Sequence, residues 1–157
     1  VERPWLISMR INRALMLLNH GRAAQLLTEI DALEADASRY GNPYAQQLVR
    51  RLRICALTAS DRLADAKGWR ADFIAHQDDG AIASIMGLMC MGEQNEAARL
   101  AVTSLADPHL SGQLIDNLQP LLSDGDPKDF SLRPLLARPE VAAAYAKVGR
   151  DLPESLR

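Results

Sequence analysis

From Asp79 to Pro108 the chain carries two apolar periodic runs separated by Gly92, and that stretch limits the fold more than any other. Its first half places Ile82, Ile85, Met86, Leu88 and Met89 between Ala81 and Met91 with almost nothing charged among them. A helix apolar nearly all round belongs inside a core, so this segment is expected to be the most buried element. Its second half, Glu93 to Ala106, sets Ala97, Leu100, Ala101, Ser104 and Leu105 at i, i+3, i+4, i+7 and i+8, one face of a second helix. The pair reads as a helical hairpin turned at Gly92, and the remaining sequence reads as further hairpins on either side of it.

The 157 residues suit one domain with a sizeable core. Leu and Ala dominate, and Gly and Pro fall between periodic runs rather than inside alternating ones, which predicts an all-α fold. Aromatic residues make up 4% of the chain and are dispersed, so a base- or sugar-stacking platform is not expected. A formal charge of −2 gives no global attraction to nucleic acid, and no apolar run approaches the roughly 20 residues that span a bilayer. No secretory signature stands near Val1, and without an initiator Met the chain reads as a segment of a longer protein. The expected compartment is the cytoplasm, or the periplasm if the segment is cut from a membrane-anchored protein. Cys55 and Cys90 both sit on apolar helical faces and are read as buried free thiols, which behave as small core residues; the alternative disulfide needs a cross-helix approach that spacing does not reveal.

Taken in order, Pro4 opens a first helix that ends at His20-Gly21, and a second helix covers about Ala23 to Ser38. Tyr40-Gly-Asn-Pro43 separates it from a third, Tyr44 to about Ala59, with Gln46, Gln47, Arg50, Arg51 and Arg53 placed outside. Ser60 or Asp61 is a candidate cap for a fourth helix holding Leu63, Ala66, Trp69 and Phe73, which Gly68 can interrupt. After the central hairpin, Leu110, Leu114, Leu118, Leu121 and Leu122 form another apolar stripe, followed by the loop signal Ser123-Asp-Gly-Asp-Pro127. A short helix near Leu132 to Ala137 and a last one from Glu140 to Val148 are expected to cover the end of the stack. The hairpins thus span about 4–38, 44–76, 79–107 and 109–122, with a C-terminal cap over 131–149, all in a single domain.

Hairpins starting near Pro4, Tyr44, Asp79 and Pro108 repeat every 30 to 40 residues or so, the range of helical units that bury their apolar faces only by stacking. In Gly92-Glu-Gln-Asn-Glu-Ala97 a turn glycine is followed five positions on by a small alanine, then Leu100-Ala101, Ser104-Leu105 and a closing proline. This resembles the tetratricopeptide repeat, over about one repeat in four. Gly87 lies two positions later than the family's small residue in the first helix, and Pro108 one position early. The ending from Leu132 to Pro153 also looks like the tail that follows such repeats in bacterial multi-domain regulators. The resemblance implies an α-solenoid that binds proteins along a concave face lined by the first helix of each pair, as a scaffold or regulatory part with no catalytic role.

Candidate chemistry is sparse. His76-Gln-Asp-Asp79 gathers metal-ligand types, but Asp78 or Asp79 stands where the central helix needs an N-cap, and a structural site wants four ligands. The acidic loop Asp124 to Asp129 lacks the bidentate Glu of a calcium loop and is interrupted by Pro127. His20 and His109 have no nucleophile or acid at a catalytic spacing, and the glycines follow no strand, so neither an active site nor a nucleotide or other cofactor is expected. The arginines fall in stripes: Arg3, Arg10 and Arg13 on the first helix, and Gln46, Arg50 and Arg53 on the third, with Gln47 and Arg51 beside them. If the hairpins stack as the resemblance implies, Arg10, Arg13, Gln46, Gln47, Arg50, Arg51 and Arg53 make a basic groove for an acidic or carboxylate-terminated peptide. The plain alternative pairs these arginines with the acids of the second helix. Two other classes stand beside the interaction scaffold: an all-α enzyme or small-ligand sensor with a pocket near Met86, Met89 and Met91, and a homodimerisation module.

Overall fold

The computed structural model describes residues 5–118 and 132–149. Over these residues the chain is all-α, with nine α-helices, two 3-10 segments and no strand. No helix among them is long and apolar enough to cross a membrane. In order these are α1 Trp5–Asn19, α2 Ala23–Tyr40, α3 Pro43–Ala59, α4 Leu63–Gly68, α5 Arg70–Ala75, α6 Ala81–Cys90, α7 Gln94–Ala106, α8 Ser111–Leu118 and α9 Pro139–Val148. The expected stripe at Leu121 and Leu122, the loop Ser123 to Pro127 with its acids to Asp129, Arg3, Pro4 and the tail beyond Gly149 lie outside the described residues.

Three hairpins turn in the same way. Gly21, Asp61 and Gly92 each adopt a positive φ, of 70°, 60° and 78°. The next residue then donates its N–H to a carbonyl five positions back, Arg22 to Leu17, Arg62 to Leu57 and Glu93 to Leu88. This is the left-handed helix stop that satisfies otherwise orphaned carbonyls, and it costs nothing at glycine and little at aspartate. Each following helix begins two residues after the turn residue. Five residues after it stand Leu26, Ala66 and Ala97, all within 1% of full burial. Asp61 therefore ends α3 by its backbone and does not cap α4, whose N-cap residue Arg62 makes no side-chain capping bond. The central hairpin likewise lacks the expected aspartate cap: Asp78 and Asp79 form a 3-10 turn, and Gly80 precedes α6.

The interruption at Gly68 is present, with α4 and α5 meeting at Trp69. It lets Phe73 turn its ring onto α6 where Gly87 leaves room; a Cβ there would lie 2.3 Å from the ring. No residue of α6 is exposed, as an all-round apolar helix requires. Two clusters make the core. One joins α1, α2 and α3 through Ile11, Leu18, Leu26, Ile30 and Leu52. The other joins the far side of α3, α5, α6, α7, α8 and the C-terminal segment through Ile54, Phe73, Ile85, Leu88, Leu105, Leu114, Leu135 and Val141. At the C-terminal end Leu135, Val141 and Tyr145 are buried and α9 packs on α7, while Val148 is exposed. The cysteines are not free thiols. Cys55 of α3 and Cys90 of α6 are joined in a disulfide, their Cα atoms 5.2 Å apart, where the two clusters meet. Tertiary packing of α3 on α6 supplies the approach that helical spacing alone left open.

Candidate functional site

A groove of about 590 Å³ runs across one face of the molecule. Its walls come from α1 (Ser8, Ile11, Asn12, Leu15), the start of α3 with its cap (Asn42, Tyr44, Leu48, Arg51), α6 (Ile82, Met86) and α8 (Gln113, Asp116, Asn117). Asn42 fixes the entry to α3, its side chain accepting the N–H of Ala45 at 2.9 Å while Pro43 fills the first helical position. The next residues on that face, Tyr44, Leu48 and Arg51, recur at helical spacing and so point the same way. Apolar floor and amide-bearing rim alternate around the groove, a surface that can cover side chains and hydrogen-bond a main chain at once.

Arg51 is the charged centre of this groove. Only 8% of its surface is exposed, and its Nε has no hydrogen-bond partner among the described residues. Burial pushes its pKa down to about 10, partly opposed by the nearby Tyr44. At neutral pH the guanidinium therefore remains charged while stripped of most of its water, with no carboxylate of the described residues contributing to its pKa. Asp116 is the acid in the lining, so among the described residues the groove carries one buried cation and one exposed anion. It is not the broadly basic surface expected from the sequence.

The other arginines of the expected stripes go elsewhere. Arg10 pairs with Asp36 and Arg13 with Glu29, both acids of α2. The Arg13 contact holds the Glu29 carboxyl below its ordinary range. Arg50 Nε donates to Asp72 at 2.9 Å. Arg53 donates to Asp31 at 2.7 Å and to Glu34, and its guanidinium lies 4.6 Å from the centre of the Trp69 ring. These four are thus paired away from the groove, because α2 brings acids alongside α1 and α3 and α5 brings one alongside α3. Gln46 is half-buried and does not line the groove.

Gln47 is structural, not peptide-facing. It is fully buried, and its Nε2 donates to the Phe73 carbonyl at 3.2 Å and to Ser84 Oγ at 2.8 Å. Ser84 Oγ in turn donates to the Gln77 carbonyl at 3.0 Å. The chain of bonds ties α3 to the end of α5, to the 3-10 turn and to α6, and it satisfies carbonyls that the helix ends leave open. Sequence reasoning missed Ser8, Asn12, Asn42, Tyr44, Gln113, Asp116 and Asn117. On α1 the signal was present, since Ser8, Ile11, Asn12 and Leu15 follow i, i+3, i+4 and i+7 as regularly as the arginines do.

A smaller cavity of about 140 Å³ lies beside the groove, between Tyr44, Asp79, Ile82, Leu110 and Leu114. It is below the few hundred Å³ that a metabolite ordinarily fills. No family model, curated protein or solved structure matches the chain.

Proposed function

We propose that this chain is a non-catalytic protein-interaction scaffold, a short tetratricopeptide-like stack of hairpins that holds a peptide in the groove over α1, α3, α6 and α8. The single observation that carries the reading is Arg51, a buried guanidinium without an acid among the described residues, facing a groove large enough for several side chains. An uncompensated buried charge is costly to the free protein, and a carboxylate from outside would relieve that cost with charge-assisted hydrogen bonds. Supporting it further, the groove draws on the first helix of successive hairpins, and three of those hairpins share one turn geometry. Asn12, Gln113 and Asn117 can donate to and accept from the main chain of an extended peptide. Asp116 disfavours a densely acidic partner, so the ligand is a peptide with a single anchoring carboxylate, its C-terminus or one acidic side chain, and no run of acids around it. Between cytoplasm and periplasm, the Cys55–Cys90 bond favours the periplasm, where disulfides persist.

The test is selection of a random peptide library with free C-termini on the immobilised protein and on Arg51→Met. The reading expects sequences enriched on the first and absent on the second, with affinity at least tenfold weaker once the anchoring carboxylate is amidated. Equal enrichment on both proteins would overturn it.

A further inference from the structure

We propose that the Cys55–Cys90 disulfide is a thiol–disulfide exchange site through which a dithiol loosens the groove and lowers its hold on the peptide. The inference rests on the groove being the peptide site and concerns how that site is regulated.

The bond sits one helical turn below two groove-lining residues. Arg51 and Cys55 are i, i+4 on α3, and Met86 and Cys90 are i, i+4 on α6, so each pair shares a helix face. The covalent link therefore joins the same two helices that carry the buried cation and the apolar wall opposite it. It also joins the two core clusters: Cys55 belongs to the cluster of α1, α2 and α3, and Cys90 packs against both. Besides the disulfide, α3 and α6 are held together by the buried apolar cluster that Ile54 and Leu57 share with Ile85 and Leu88 and, at their other ends, by the Gln47–Ser84 hydrogen bond. Arg51 stands four residues from Cys55 and four from Gln47 on α3, so breaking the sulfur bridge removes the covalent link on one side of it and leaves the polar tie on the other.

The two sulfurs differ in access. Cys55 is 1% exposed, whereas Cys90, the last residue of α6, is only partly buried. An incoming thiolate thus reaches Cys90 Sγ first. The Cys90–Cys55 bond breaks, its electron pair leaves on Cys55 Sγ, and that sulfur takes up a proton. The second thiol of the reductant then attacks the mixed disulfide and releases Cys90 as a thiolate, which is protonated in turn. Two electrons and two protons have passed to the protein, and the dithiol has closed into its own disulfide.

The experiment follows Arg51 directly. The folded protein is held in dithiothreitol or in its oxidised form, treated with phenylglyoxal, and the modification of each arginine is read by peptide mass spectrometry, with helix content followed by circular dichroism. The proposal expects both thiols to become alkylatable without loss of helix, Arg51 to react at least fivefold faster, and Arg50 and Arg53 to be unchanged. Cys55→Ser combined with Cys90→Ser should react like the reduced protein in either medium. Thiols that appear only when denaturant is added, or an Arg51 rate that ignores reduction, would overturn the proposal. Where a peptide has been selected on the groove, its affinity should fall at least tenfold on reduction, and an unchanged affinity would equally overturn it. A peptide indifferent to Arg51→Met would instead refute the groove reading, while the Arg51 rate still decides whether the disulfide controls the groove.

Discussion

Gly87→Ala sets two opposing effects against each other at one site. In an ordinary helix interior the change favours folding by roughly 1 kcal/mol, because alanine gives up less backbone entropy than glycine. Here the new Cβ would lie 2.3 Å from Phe73 Cζ, 2.7 Å from Cε1 and 3.1 Å from Cε2, where ordinary contact begins at 3.4 Å. The ring tip must retreat by more than an ångström, and Phe73 is 1% exposed with the core packed around it. Forcing a methyl into such a core costs about 1–3 kcal/mol, more where neighbours cannot yield. With a clash on three ring atoms the upper part of that range applies, and the net effect is a destabilisation of about 1–2 kcal/mol. Urea denaturation followed at 222 nm measures it. Phe73→Leu in the same chain should remove most of the additional penalty of Gly87→Ala, a non-additivity on the order of 1 kcal/mol. A raised midpoint for Gly87→Ala, or strict additivity with Phe73→Leu, would refute the packing of α5 on α6 through this glycine.

Ala97→Leu should lower stability by about 1–3 kcal/mol, because Ala97 is fully buried where α6 and α7 cross after the Gly92 turn; an unchanged denaturation midpoint would contradict that crossing. Gln47→Ala should lower it by about 1–3 kcal/mol, since the Phe73 carbonyl and the Ser84 hydroxyl lose a buried donor, and the same substitution should leave peptide affinity within twofold when measured on folded protein. Arg51→Met should raise the stability of the unliganded protein by on the order of 1–3 kcal/mol, by replacing a buried charge that has no partner among the described residues with an apolar chain of similar length. Because the folded-state pKa of about 10 lies below the unfolded value, the unfolded chain binds the proton more tightly. The cost is therefore fully present below about pH 10 and shrinks above it, so the gain from Arg51→Met should be constant from pH 6 to 9. A loss of stability would mean that Arg51 has a partner.

The helices and their order were legible because the 3.6-residue period is a one-dimensional signal, strongest in α6 and α7 on either side of Gly92. The Asp61 turn was not, since its side chain suggests a cap while its backbone does the work of the glycines at 21 and 92. Helical spacing groups the arginines into stripes, but in the structure Arg10, Arg13, Arg50 and Arg53 face acids of neighbouring helices and not the groove. A stripe on one helix says nothing of which neighbour it meets until the antiparallel register is drawn. Arg13 and Glu29 stand at equal distances either side of Gly21, Arg53 and Asp31 either side of Asn42, and Arg50 and Asp72 either side of Asp61. That symmetry identifies these three pairs from sequence once the turns are fixed, while Arg10–Asp36 and Arg53–Glu34 depart from it. Gln47, Arg51 and the cysteine pair needed three dimensions. Each depends on how α3 meets α6, two helices separated in the chain by α4 and α5, and local pattern carries no information about that approach.

The central claim is that a peptide lies in the groove over Arg51, and photo-crosslinking tests it most directly. A selected peptide carrying a benzophenone beside its anchoring carboxylate is bound to the protein, irradiated, and the adducts located by mass spectrometry. The account predicts adducts on the groove residues, chiefly Leu48, Ile82 and Met86, lost when Arg51 is replaced by Met. Adducts confined to the outer face of α1 around the exposed Met9 and Met16, and insensitive to Arg51, would contradict it.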